Sequence, residues 1–237
     1  MTKHLLALYL TGGMEIGIGL LLPTLPKLLL IYLGTITLLI ALSTQSGRHG
    51  ILGKRTDGQH PWWSTLIFFN WHLLYRFIAT RRLHPSDPRF VEVQGGWYVA
   101  AWPRVEDRLE PCVVIDLAAE LPLQIKPQAY HSCPTLDRGT PSVRDLEALV
   151  QFASAHQGLD TKTVVHCAQG YGRSVMALAA ILVRCEQFPT WRDALTEIQK
   201  KRPHARLSQC QIDTLERWTQ DYRSLDTPGA PHVSSSR

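Results

Sequence analysis

The chain has 237 residues, 45% of them apolar, enough for one sizeable domain with a smaller segment in front of it. Its net charge of +5 is modest, and no Lys/Arg stripe runs along a face, which excludes nucleic-acid binding and leaves anionic headgroups or phosphorylated groups as partners. The five cysteines are odd in number and include no CxxC, which excludes zinc ribbons and dithiol redox centres and fits reduced thiols.

The first forty-odd residues are nearly free of charge. His4–Leu22 is an apolar run broken by Glu15 and several glycines, Pro23 and Pro26 punctuate the chain, and Leu28–Ser43 is apolar again. Each run is near the short end of the ~20 residues that cross a bilayer. The prolines read as the turn of a hairpin, so residues 1–45 are expected to form a transmembrane helical hairpin. A signal peptide is the competing reading, but it needs an uninterrupted apolar core and a small-residue cleavage site. Lys3 precedes the first run, and Arg48, Lys54, Arg55, Arg76, Arg81 and Arg82 follow the second. The positive-inside rule then gives two spans, with the following domain on the cytoplasmic side.

Residues 46–88 read as an interfacial linker. The stretch from Trp62 to Ile78 is dense in aromatics but interrupted by Asn70, His72 and Arg76. It suits a helix lying in the headgroup zone or one packed on the domain behind it, with a third span as the lesser alternative.

From Arg89 the pattern is that of an α/β domain, expected to run to residue 225. Gly96–Trp102 and Val113–Ala118 read as strands, the second apolar enough to be buried on both faces. Thr140 is placed as the N-cap and Pro141 as the first residue of a helix running to about His156. Lys162–His166 is a further buried strand, and Ser174–Cys185 an apolar helix. Helices over Trp191–Lys201 and Ser208–Ser224 follow, and the Pro-, Gly- and Ser-rich tail over 226–237 reads as disordered.

The segment His166-Cys167-Ala168-Gln169-Gly170-Tyr171-Gly172-Arg173-Ser174 lies between the last strand and the apolar helix. Its glycines let the loop curl so that successive N–H groups face one point, a nest for an anion. The next helix adds its positive end there, and Arg173 adds a planar fork for two phosphate oxygens. Residues 168–173 therefore form a candidate phosphate cradle. A thiol at its base loses its proton readily, which makes Cys167 a nucleophile that forms a covalent phosphoryl intermediate. Ser174 is placed to offer its hydroxyl to the sulfur, and His166 to orient the loop.

At these residues the chain resembles the cysteine-based protein tyrosine phosphatase superfamily, whose signature is His-Cys-five residues-Arg-Ser/Thr, and most of all its compact dual-specificity branch. The resemblance runs from about Gly96 to Tyr222. It implies a central mixed sheet flanked by helices, preceded here by the helical hairpin. It also implies a leaving-group acid on a separate loop. Asp137, thirty residues before Cys167 in Leu136-Asp137-Arg138-Gly139-Thr140-Pro141, matches that loop, and Asp145 inside the following helix is its rival. No metal or other cofactor is implied; His60, His72, His131, His156 and His204 are scattered without ligand spacing. Cys133 is a candidate redox partner for Cys167.

Substrate class stays open at this point. Ala168, Gln169 and Tyr171 carry no charge, which speaks against polyphosphorylated inositol lipids. A phosphoprotein is the broader expectation, and a phospholipid with one terminal phosphate the alternative, since the overall plan is similar to a branch that includes phosphatidylglycerophosphate phosphatases. A phosphate-docking module without catalysis and a rhodanese or arsenate-reductase reading each explain less of the Cys, Arg, Ser and Asp set.

Overall fold

A computed structural model describes residues 2–81, 84, 87–107, 109, 112–157 and 162–226. Two antiparallel helices open the chain: α1 (Lys3–Leu20) and α2 (Thr24–Gln45). They meet at Gly12 and Gly34, where a Cβ on Gly34 would lie 2.6 Å from the Gly12 carbonyl oxygen. The two helices thus pair as a hairpin. Among the described residues, only α2 is long and apolar enough to cross a membrane, with mean hydropathy 2.1 over its best window. The lower half of α2 is also committed elsewhere, because Ile36 and Ile40 are buried in one cluster with Trp71, Tyr75, Ala118, Leu121 and Leu136.

Short α3 (Trp62–Ile67) leads into α4 (Phe69–Arg81). α4 buries Trp71, His72, Tyr75 and Ala79, the spacing of one helical face, against this same cluster. Of the three placements open for the aromatic stretch, packing on the domain is realised for one face of α4. Its other side still exposes Phe69, Leu73, Leu74 and Phe77.

The domain behind it is built on a five-stranded mixed sheet. Strands β1 (Phe90–Gln94), β2 (Trp97–Ala100), β3 (Cys112–Ala118), β4 (Ala129–Thr135) and β5 (Lys162–His166) lie in the order β1-β2-β5-β3-β4. Only β1–β2 is antiparallel. β1 and β4 lie outside the expected strands and form the two edges of the sheet; β1 alternates buried Val91 and Val93 with exposed Glu92 and Gln94, and β4 is half-buried along most of its length. β3 is buried along its whole length, as its composition requires.

Helix α5 (Val143–Ala155) starts two residues later than expected. Ser142 is the N-cap and accepts from the Asp145 N–H at 3.1 Å, while Thr140 instead points its hydroxyl at Met176 Sδ, 3.4 Å away. α6 (Arg173–Arg184) is buried almost throughout against the sheet, and α7 (Trp191–Lys201) and α8 (Gln209–Asp226) complete that layer. The expected tail lies, beyond Asp226, outside the described residues.

Candidate active site

β5 delivers Cys167 to the C-terminal edge of the sheet, and the loop 168–172 carries the chain into α6. Gly170 adopts φ +76°, and a Cβ there would meet the Ala100 carbonyl oxygen at 2.6 Å, so glycine is required on both counts. Outward contacts hold the loop carbonyls. Ala168 O accepts from Trp102 N–H at 3.2 Å, Gln169 O from Arg202 Nη2 at 2.8 Å, Tyr171 O from Arg206 N–H at 2.9 Å and Gly172 O from Met176 N–H at 2.8 Å. With these four carbonyls held elsewhere, Gly170 N–H points at Cys167 Sγ, 3.3 Å away, and the Ser174 amide bonds the same sulfur.

Cys167 is almost fully buried, and Ser174 Oγ lies 3.4 Å from its sulfur. Burial alone pushes this thiol up. The Arg173 guanidinium, the Ser174 hydroxyl and amide and the Gly170 N–H outweigh that and bring it below the ordinary cysteine value. The thiols of Cys112, Cys133 and Cys185 go the opposite way. Cys133 on β4 is buried and pushed up to about 12, and Cys185 is raised by burial in the core; both are free thiols with structural surroundings.

Arg173, the first residue of α6, is buried beneath the loop. Its Nη1 donates to both oxygens of Glu120 at 2.9 and 3.2 Å, to Leu117 O at 3.4 Å and to Thr135 O. Burial opposes the charge, but Glu120, the Cys167 thiolate and Asp137 hold the guanidinium protonated, above the ordinary arginine value. Nη2 reaches Asp137 Oδ1 at 3.4 Å. Asp137 and Cys167 line one cleft of about 390 Å³ together with Tyr75, Gln169, Tyr171, Gly172, Arg173 and Gln211. Asp145, the rival acid, faces a different cleft and serves the cap of α5.

The Asp137 loop is braced from several sides. Gln211 of α8 donates to Gly139 O at 3.0 Å, His49 Nε2 donates to Thr140 O at 2.9 Å, and the Tyr75 hydroxyl bonds Asp137. His166 is fully buried, with Nε2 3.6 Å from Asp116 Oδ2, beyond hydrogen-bonding distance. His204 is less isolated than its sequence position suggests: it stacks on His84 with centroids 3.9 Å apart and bonds Asp87 at 3.0 Å, beside Tyr171.

Sequence reasoning missed Glu120, Tyr75 and Gln211. Glu120 had a usable signal, a lone carboxylate just past an all-buried strand beside the motif strand, where sites of parallel sheets assemble. Tyr75 and Gln211 carry none, since their partners are distant in the chain.

Residues 95–221 match the dual specificity phosphatase catalytic domain family. A mouse protein, phosphatidylglycerophosphatase and protein-tyrosine phosphatase 1, is 32% identical over 78 residues, 33% of this chain and 40% of that one, so the chain spans well under half of that relative. Human DUSP28 superposes with TM-score 0.52 at 16% identity, covering 59% of this chain and 98% of the other. PTPMT1 in complex with PI(5)P superposes with TM-score 0.51 at 20% identity, covering 58% and 99%. At such identities the superpositions show the fold alone. With more than half of its length matched by the family model, the chain belongs to the dual specificity phosphatase catalytic domain family.

Proposed function

We propose that the protein hydrolyses the terminal phosphate of a membrane phospholipid through a cysteinyl-phosphate intermediate, working at a bilayer surface. The substrate phosphate sits in the 168–173 loop with two oxygens on Arg173. The Cys167 thiolate attacks phosphorus, the bond to the leaving oxygen breaks, and Asp137 gives that oxygen its proton. Water then attacks the phosphocysteine, Asp137 takes a proton from it, and the sulfur leaves as thiolate toward the Ser174 hydroxyl. Charge on the equatorial oxygens meets donors already in place, the main source of rate.

The observation that carries the lipid reading is the double duty of α4. Tyr75 and Ile78 line the catalytic cleft, while Leu73, Leu74 and Phe77 of the same helix are exposed. Leu10, Met14, Leu20, Leu21, Leu25 and Leu28 at the free end of the hairpin are exposed as well. We read these as one anchoring surface that seats the cleft at headgroup level. Since the lower part of α2 is packed on the domain, the free end of the hairpin is shorter than the ~20 residues of a span. It enters the bilayer from one face instead of crossing it twice.

The test measures inorganic phosphate released by full-length protein in mild detergent, with phosphotyrosyl peptide and phosphatidylglycerophosphate mixed micelles side by side. Lipid turnover at least about tenfold above peptide turnover, absent in C167S, is the expected result. Peptide dominance removes the lipid assignment, and equal silence of wild type and C167S removes catalysis through Cys167.

A further inference from the structure

The family match begins at residue 95, yet the carbonyls that shape the site are capped from before it. After β3 the chain makes a turn, Ala118–Leu121, that carries Glu120 under Arg173. Each carbonyl of this turn accepts from a side chain of residues 54–72. Lys54 Nζ donates to Ala118 O at 2.6 Å and to Leu121 O at 2.7 Å, His60 Nε2 to Ala119 O at 2.8 Å, and His72 Nδ1 to Glu120 O at 2.8 Å. Lys54 also pairs with Asp116 Oδ2 at 2.6 Å, both side chains fully buried. The Tyr130 hydroxyl donates to the same oxygen at 2.9 Å, and Asp116 faces His166, the neighbour of Cys167, across the β3–β5 ladder.

We propose that Lys54, with His60 and His72, is a set of positioning residues for Arg173 and Cys167, so that residues 46–81 are part of the catalytic unit and not a linker. A buried ammonium is costly unless fully partnered, and this one has three oxygens and no exposure. Two of those partners, Asp116 and Leu121, lie at the ends of one six-residue stretch and Ala118 lies within it. The ammonium therefore folds that stretch around itself and fixes where the Glu120 carboxylate stands. Glu120 in turn sets the plane of the Arg173 fork. A second route runs through Asp116 to His166 and the start of the phosphate loop. His60 and His72 complete the frame from α4 and the segment before it. Displacement of a phosphate clamp by about an ångström costs on the order of 10²-fold in rate, so support at this remove is visible in kinetics.

This inference rests on the cysteine-dependent hydrolysis proposed above. The experiment compares full-length wild type, K54Q, H60A, H60Q and C167S on a small aryl phosphate, and measures inorganic phosphate binding separately by calorimetry. Expected for K54Q is a fall of about 10²-fold in kcat/KM with roughly tenfold weaker phosphate binding. H60A loses about tenfold, and H60Q, which keeps an N–H donor for Ala119 O, recovers to within about threefold of wild type. Catalysis by K54Q and H60A within threefold of wild type, with unchanged phosphate affinity, overturns the proposal. If K54Q does not fold, the H60A and H60Q pair decides alone: equal rates in the two refute it. Silence of wild type and C167S alike would instead strike the hydrolytic reading, leaving the phosphate-binding comparison to judge the positioning residues.

Discussion

Replacing Glu120 by Gln isolates what the buried carboxylate does for catalysis. Glu120 is fully buried and holds Arg173 Nη1 with both oxygens, at 2.9 and 3.2 Å. Removing one partner of a buried pair costs about 3–5 kcal/mol, because the remaining charge is left uncompensated. Glutamine keeps one acceptor for Nη1, and Leu117 O and Thr135 O remain, so about 2–3 kcal/mol is the appropriate figure. If that loss falls on phosphate binding in the transition state, kcat/KM drops by roughly 30- to 150-fold. The assay is steady-state hydrolysis of an aryl phosphate, normalised to folded protein by near-ultraviolet circular dichroism. A normalised kcat/KM within threefold of wild type, whatever the change in melting temperature, would show that Glu120 only supports the fold and refute the reasoning.

Three further outcomes follow from the geometry. D137N should lower kcat by about 10²-fold or more on substrates with poor leaving groups, with little change on p-nitrophenyl phosphate; a uniform loss across leaving groups would show that Asp137 is not the proton donor. G170A places a Cβ 2.6 Å from the Ala100 carbonyl oxygen at φ +76°, and is expected to destabilise by about 2–4 kcal/mol, read as a fall in urea midpoint with unchanged slope. His60 is lowered by burial to about 4, and burial lowers His49, His72 and His166 in the same direction. The unfolded chain binds these protons near pH 6.5 and the folded one does not, so stability is complete above that pH and falls as pH drops from 6.5 towards 4. His60 alone accounts for up to about 3 kcal/mol, and H60Q should flatten the urea-midpoint profile across that window.

The chemistry of the site was legible because its sequence is local: Cys167, Gly170, Arg173 and Ser174 lie within eight consecutive residues, and the buried strand and apolar helix around them have unmistakable composition. The family resemblance, with its acid loop about thirty residues before the cysteine, pointed to Asp137, which lines the same cleft as Cys167. Frame residues were illegible for the opposite reason. Lys54 meets Asp116 across 62 residues, and Tyr75 meets Asp137 across a similar gap, so no window of sequence contains both partners. The aromatic segment around α4 was ambiguous in kind, since a helix apolar on both sides gives the same composition whether one side faces lipid or protein. Asp116 was an overlooked clue beside Glu120. A carboxylate in an otherwise apolar, fully buried strand demands a cation, and Lys54 was the nearest lysine after the hairpin.

The outward-tied carbonyls of the phosphate loop have a kinetic consequence. Trp102, Arg202, Arg206 and Met176 fix the backbone before any ligand arrives, so an incoming oxyanion loses its own translational freedom but orders little of the protein. A cradle of fixed radius then discriminates by size. Tetrahedral anions with short central bonds should leave its N–H groups at a distance, and larger ones such as tungstate should fill it. Inhibition constants across a series of oxyanions would thus measure the stiffness of the loop directly.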